Sequence, residues 1–308
     1  MNGTVIKNLV FEGGGVKGLA YAGAMQALEK AGLLNGVKAF AGTSAGAITA
    51  ALLACGCNAT YLRRIAAGTD FSDFQDNSIG VIRDMWRLVR KFGWNQGDAF
   101  AVWMKRNLKM LTDDADITFS GLYHKQGKRL YIIGTNLTEQ SPELYSTEET
   151  PDMPVWEAVR ISMGIPFFFE PWRRLKNLLV DGGMTWNYPI DLFDDALSET
   201  LGFRVDSKKE AEAGRSGWRP LPIAIGNLKD FCMASIGLMM DAANRTHLKE
   251  EHVARTVFID GCGVPATDFS LTAEQKRMLV ESGYKATKIW IDENASLNSL
   301  IGAAANDD

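Results

Sequence analysis

The sequence predicts an α/β protein in which helices pack on a mostly parallel sheet. Residues 5–54 alternate strand, helix, strand, helix, the pattern of strands joined by crossover helices. Apolar strand-like runs return much later in the chain, separated by long helical stretches. The 308 residues are 46% hydrophobic and 23% charged, ordinary for a folded globular chain. No stretch reads as a long linker, so a single domain is expected over residues 1–308.

Residues 5–11 are apolar and β-branched, which predicts a buried strand. A glycine-rich turn follows Glu12, and residues 19–30 read as a helix stopped by Gly32. Residues 36–41 form a second short strand, and the alanine-rich 45–54 a buried helix. Residues 60–111 have helical patterning and are rich in tryptophan and arginine, a helical segment that reads as a lid. Strands are expected again at 129–134 and 178–180. Residues 202–220 are polar and carry Gly214, Gly217 and Pro220, which predicts an exposed excursion. A helix over 233–251, a strand over 256–260 and an amphipathic helix over 273–290 close the chain. There is no internal repeat and no low-complexity tract.

Composition narrows the function. A net charge of -4 gives no electrostatic footprint for nucleic acid. Cys55, Cys57, Cys232 and Cys262 form neither a C-x-x-C pair nor a Cys/His set with zinc spacing, and suit a reducing compartment. Lys7 and Glu12 interrupt any signal-peptide core, and no apolar run approaches the roughly 20 residues that span a bilayer. A cytoplasmic protein is expected, with signal-independent secretion left open.

Gly13-Gly14-Gly15-Val16-Lys17-Gly18 follows a strand and opens a helix, so it fits the dinucleotide pattern G-x-G-x-x-G. That function needs an acidic residue at the end of the second strand, where Ala41-Gly42-Thr43 stand instead. A Walker loop is excluded because Lys17 precedes Gly18 rather than serine or threonine. The same turn exposes backbone N–H groups at the positive end of a helix, a nest for a phosphate or for an oxyanion developing in acyl transfer. Lys17 adds charge at its rim.

Gly42-Thr43-Ser44-Ala45-Gly46 fits G-x-S-x-G in its required context, strand before and helix after. A serine on that turn is forced outward, and glycines at Gly42 and Gly46 let the neighbouring chain pass close by. An ordinary α/β-hydrolase would add a late histidine, but the three histidines do not suit. His124 lies in a polar loop, and His247 and His252 lie among charges at a helix end, where a solvated side chain is expected. Something other than histidine is expected to activate Ser44. Asp181-Gly182-Gly183 leaves the apolar run 178–180, and an aspartate at a buried strand end becomes a better base as water is excluded.

Taken together, the glycine loop with its basic residue, G-x-S-x-G about 25 residues later, and D-G-G far downstream resemble the patatin-like phospholipases. Arg160-Ile161-Ser162-Met163-Gly164-Ile165-Pro166-Phe167-Phe168, Asn187 and Pro189 resemble further stretches of that family. The resemblance implies a three-layer α/β/α fold with Ser44 as nucleophile, Asp181 as base, and the Gly13, Gly14 and Gly15 backbone as oxyanion hole, with Lys17 and Gly18 completing the loop. It implies hydrolysis of acyl esters in phospholipids or other glycerolipids, with no metal or cofactor. An acyltransferase using the same dyad and a non-catalytic lipid-binding protein are the alternatives. Malonyl acyltransferases share the elbow but use a histidine base, for which no histidine here has an obvious place. An activating partner or small molecule is compatible with the sequence but unspecified by it.

Residues 83–109 carry seven basic side chains and two acidic ones. Apolar Ile79, Ile82, Met85, Trp86 and Val89 stand at helical spacing, with Arg87, Arg90 and Lys91 at their edges and Trp94 and Trp103 following. Such a face predicts peripheral membrane contact, centred on Trp86, Arg87, Arg90, Lys91 and Trp94; a core-packed helix with snorkelling arginines is the alternative.

Overall fold

The computed structural model describes residues 6–74, 90–205, 225–246 and 249–304. The first strand, β1 (Asn8–Phe11), is wholly buried and leads through a short 3-10 turn (Gly15–Leu19) into α1 (Ala20–Lys30). Next come β2 (Ala39–Thr43), α2 (Ala45–Ala54) and α3 (Ala59–Gly68), the last capped where the Asn58 side chain accepts from the Tyr61 N–H. The expected lid is only partly helical: β3 (Gly93–Asn95) is a strand, followed by α4 (Asp98–Thr112). The face built on Trp86 and Arg87 falls within 75–89, outside the described residues. Arg90 and Lys91 are exposed and Trp94 is half-buried.

Then follow α5 (Phe119–Gln126), β4 (Arg129–Asn136), β5 (Ser141–Tyr145) and α6 (Val155–Ser162). Three short strands come next, β6 (Phe167–Phe169), β7 (Trp172–Arg174) and β8 (Asn177–Asp181). The chain closes through β9 (Thr200–Val205), α7 (Leu228–Thr246), α8 (Glu250–Ala254), β10 (Thr256–Ile259) and α9 (Ala273–Ala304).

The main sheet has the order β10-β9-β1-β2-β4-β8-β7, with β5 also paired to β4. The run from β10 to β4 is parallel; β8 and β5 are antiparallel to β4. The second sheet is β3 paired with β6. Helices flank a central, mostly parallel sheet, and the apolar core gathers residues of α1, α2, α4 and α6 against its strands. α1 and α9 cross closely, because a side chain at Gly23 or Gly283 would strike the other helix's backbone.

One expectation fails here. Residues 202–205 are not an exposed excursion but the end of β9, buried between β1 and β10. The charge of Arg204 disguised the strand. In the fold Arg204 is 4% exposed and pairs with equally buried Glu12 at 2.7 Å. The predicted helix over 233–251 begins earlier, at Leu228, and is followed by the separate α8.

Candidate active site

The site is built where two strands meet end to end. On β4, Ile133 pairs with Thr43 of β2 on one side and Leu144 of β5 on the other. The next residue, Gly134, pairs with Asp181 of β8 and with Glu143 of β5. β8 therefore takes over the edge of β4 that β2 vacates, running the opposite way. The C-terminal ends of β2 and β8 face each other, which puts Ser44, one residue past β2, against Asp181.

Ser44 adopts φ 53°, ψ -122° between β2 and α2, a conformation an L-residue holds only under constraint. The constraint is close packing: a Cβ at Gly46 would collide with the Phe11 carbonyl, and one at Gly18 would come within 2.7 Å of Ala45 Cβ. The Ser44 N–H donates to Ser162 Oγ at 2.9 Å, and Ser162 Oγ donates to the Ile133 carbonyl at 2.5 Å. Ser44 is 3% exposed, and the positive end of α2 lies directly behind it.

Asp181 is fully buried. Its Oδ1 accepts the Gly183 N–H at 2.7 Å, while Oδ2 has no hydrogen-bond partner. Burial pushes its carboxyl up to about 7, against the lowering effects of the Gly183 N–H and the Ser44 hydroxyl. The Ser44 hydroxyl stands close enough to lower the carboxyl, and no hydrogen bond reaches Oδ2.

The glycine loop is clamped by Asn187. The Gly13 N–H donates to the Asn187 carbonyl at 3.1 Å, and Asn187 Nδ2 donates to the Gly13 carbonyl at 3.1 Å. Val16 N–H is taken by the Ala266 carbonyl and Lys17 N–H by that of Gly14. Among the hydrogen bonds of the described residues, Gly14 and Gly15 N–H donate to nothing. Gly13, expected as an oxyanion donor, is already engaged; Gly14 and Gly15 are the donors that remain.

Ser44, Gly13–Gly15 and Lys17 line a small cavity of about 100 Å³ whose far wall is Ile165 with Met233, Ile236 and Met240 of α7. Gly183 lies under the same wall, since a Cβ there would strike the Met240 methyl. On the other side of the loop, sharing Gly15, is an apolar cavity of about 70 Å³ between Ala45, Ile48, Leu62, Ala66, Phe74 and Trp103. A larger groove of about 570 Å³ lies between α1, α3 and α9, but neither Ser44 nor Asp181 lines it.

His252 is buried rather than solvated, its Nε2 2.8 Å from Asp194 Oδ1, and it does not line the Ser44 cavity. Asp194, Glu251 and His252 bring their ligand atoms within 4.8 Å of one another. The Lys249 ammonium sits on that cluster, 2.6 Å from Asp194 and 3.6 Å from Glu251, where a cation would go. Sequence reasoning passed over Ser162 as a participant, although it lies within the 160–168 segment. Nothing in a single sequence tells a buried elbow-holding hydroxyl from an ordinary helix-end serine.

These features define an α/β protein in which a strained serine turn between strand and helix stands against a buried carboxylate. The chain belongs to the patatin-like phospholipase family, whose sequence profile matches residues 9–194. It is 32% identical over 286 residues to uncharacterized protein R571 of Acanthamoeba polyphaga mimivirus, covering 92% of this chain and 93% of that protein. A probable lipid hydrolase, 463L of invertebrate iridescent virus 6, is 28% identical over 60% of this chain and 62% of its own length. Among solved structures, VipD from Legionella pneumophila shares the fold with a TM-score of 0.63 at 20% identity, over 94% of this chain and 67% of that one.

Proposed function

We propose that this protein is a lipid acyl hydrolase that cleaves fatty acyl esters of membrane glycerolipids through an acyl-Ser44 intermediate. The observation that carries the reading is the orphaned, buried Asp181 Oδ2 beside the strained Ser44, with two unengaged N–H groups across the same cavity. Asp181 Oδ2 accepts the hydroxyl proton as Ser44 Oγ attacks the ester carbon. The Gly14 and Gly15 N–H groups hold the oxyanion, and Lys17 lies at the rim. Collapse of the tetrahedral intermediate expels the alcohol, which takes the proton back from Asp181. Water, deprotonated by the same carboxylate, then attacks the acyl carbon and frees Ser44.

The apolar cavity beyond Gly15 suits a fatty acyl chain. Family membership and the probable lipid hydrolase among its relatives support a lipid substrate. Peripheral contact with the membrane surface belongs to the same reading; among the described residues no helix is long and apolar enough to cross a membrane. Ser44→Ala and Asp181→Asn each abolish turnover of a soluble short-chain ester with the fold intact, and the double variant loses no more than either alone. A fluorophosphonate labels Ser44 alone. Substantial activity in either folded variant overturns the dyad.

A further inference from the structure

α7 is apolar on two opposite faces. Met233, Ile236 and Met240 point into the Ser44 cavity. Leu228, Phe231, Leu238 and Met239 recur at helical spacing on the other side, and each is at least half exposed. The inner stripe is covered by the core, while the outer one has no partner among the described residues, an exposed apolar patch that marks an interaction surface. A second feature lies at the same edge of the sheet. Because β8 runs antiparallel to β4 and ends at Asp181, the β7–β8 turn projects beyond the end of β4 that carries the site. At its tip Leu175 is fully exposed, between exposed Arg173, Arg174 and Lys176.

We infer that the outer stripe of α7 and the Leu175 turn form one docking surface for an anionic lipid bilayer, placing the mouth of the Ser44 cavity on the membrane. The reading rests on the proposed lipid substrate. Three basic residues around a protruding leucine, on a chain of net charge -4, match a negatively charged surface rather than a second copy of this protein. Continuity points the same way, because the helix that would enter the lipid is also the wall of the substrate cavity. That cavity is too small for a glycerolipid as it stands, so displacement of α7 on docking is what admits the chain.

The experiment uses the full chain with vesicles of phosphatidylcholine alone or with phosphatidylserine. Wild type sediments with the mixed vesicles and less with the neutral ones. Phe231→Glu with Leu238→Glu, and separately Leu175→Glu, weaken sedimentation by about tenfold or more and lower vesicle phospholipid hydrolysis in step. Soluble-ester turnover stays at wild-type level in both. Reversing Arg173, Arg174 and Lys176 to glutamate removes the preference for phosphatidylserine. Leu238→Trp gives a blue-shifted emission on adding mixed vesicles, a readout independent of the charged variants. Unchanged vesicle binding in the Glu variants, or no emission shift, overturns the surface. A concentration-dependent dimer that Leu238→Glu dissociates without loss of vesicle binding overturns it in favour of self-association. If wild type binds vesicles but hydrolyses no ester, the hydrolase reading fails and the docking surface stands.

Discussion

Ser44 and Ser162 are joined by a hydrogen bond from the Ser44 backbone N–H to the Ser162 hydroxyl, 2.9 Å long and wholly buried. The contact ties the turn that carries Ser44 to the end of α6, and through the Ile133 carbonyl to the strand that aligns β2 with β8. It also removes the Ser44 N–H from the set of donors free to face an oxyanion.

Ser162→Ala leaves that N–H buried without an acceptor, which costs about 1–3 kcal/mol of stability. With the elbow less firmly held, kcat for a soluble ester falls while KM changes little. Denaturant unfolding and steady-state kinetics check the two effects; full activity at unchanged stability removes Ser162 from the positioning of Ser44.

The carboxyl of Asp181, raised to about 7 by burial, sets a pH dependence for activity and an opposite one for stability. Only the ionised form accepts the Ser44 proton, so kcat/KM for a soluble ester rises with pH through an apparent pKa near 7 and then levels. Between roughly pH 4 and 7 the unfolded chain has released this proton and the folded chain has not, so wild-type stability falls as pH rises. Asp181→Asn lacks that slope. It unfolds at a higher temperature than wild type above pH 7 while being inactive, and identical pH profiles of Tm for the two proteins contradict the assignment.

On the proposed reading the apolar cavity beyond Gly15 takes the acyl chain and sets its preferred length. Ala66→Phe narrows it from the α3 side without touching Ser44 or Asp181. Turnover of long-chain soluble esters drops several-fold relative to butyrate esters, which are hydrolysed as by wild type. Equal losses on short and long chains place the acyl group elsewhere.

Glu12→Gln removes the carboxylate that pairs with buried Arg204 at 2.7 Å. Losing one partner of such a pair costs about 3–5 kcal/mol. Thermal unfolding shows a marked fall in Tm, and an unchanged Tm contradicts a structural role for the pair.

The two halves of the site were legible separately in the sequence, for a local reason. G-x-S-x-G between strand and helix, and an aspartate followed by two glycines at a strand end, are short-range patterns dictated by backbone geometry over a few residues. The glycine loop was readable as a tight turn opening a helix in the same way, and the outer frame of alternating strands and helices followed from hydrophobic periodicity. Patterns that depend on a distant partner misled or stayed silent. Arg204 read as surface because its partner Glu12 lies 192 residues earlier in the chain, and burial of a charge is intelligible only once the pair is seen. His252 read as solvated because Asp194, which holds it, is distant in sequence.

What the chain determined by itself was the inventory: a serine at a strand-to-helix turn, an aspartate at a strand end, a glycine loop opening a helix, and the α/β frame to carry them. What only the tertiary structure decided was their relation. β2 and β8 share one edge of β4 end to end, an arrangement set by sheet pairing between residues 43, 133, 134 and 181. The same pairing chose Gly14 and Gly15 over Gly13 as unengaged donors, by bringing Asn187 beneath the loop. Backbone preference acts over a turn, but pairing, burial and the desolvation that raises the Asp181 pKa exist only when the whole sheet is assembled.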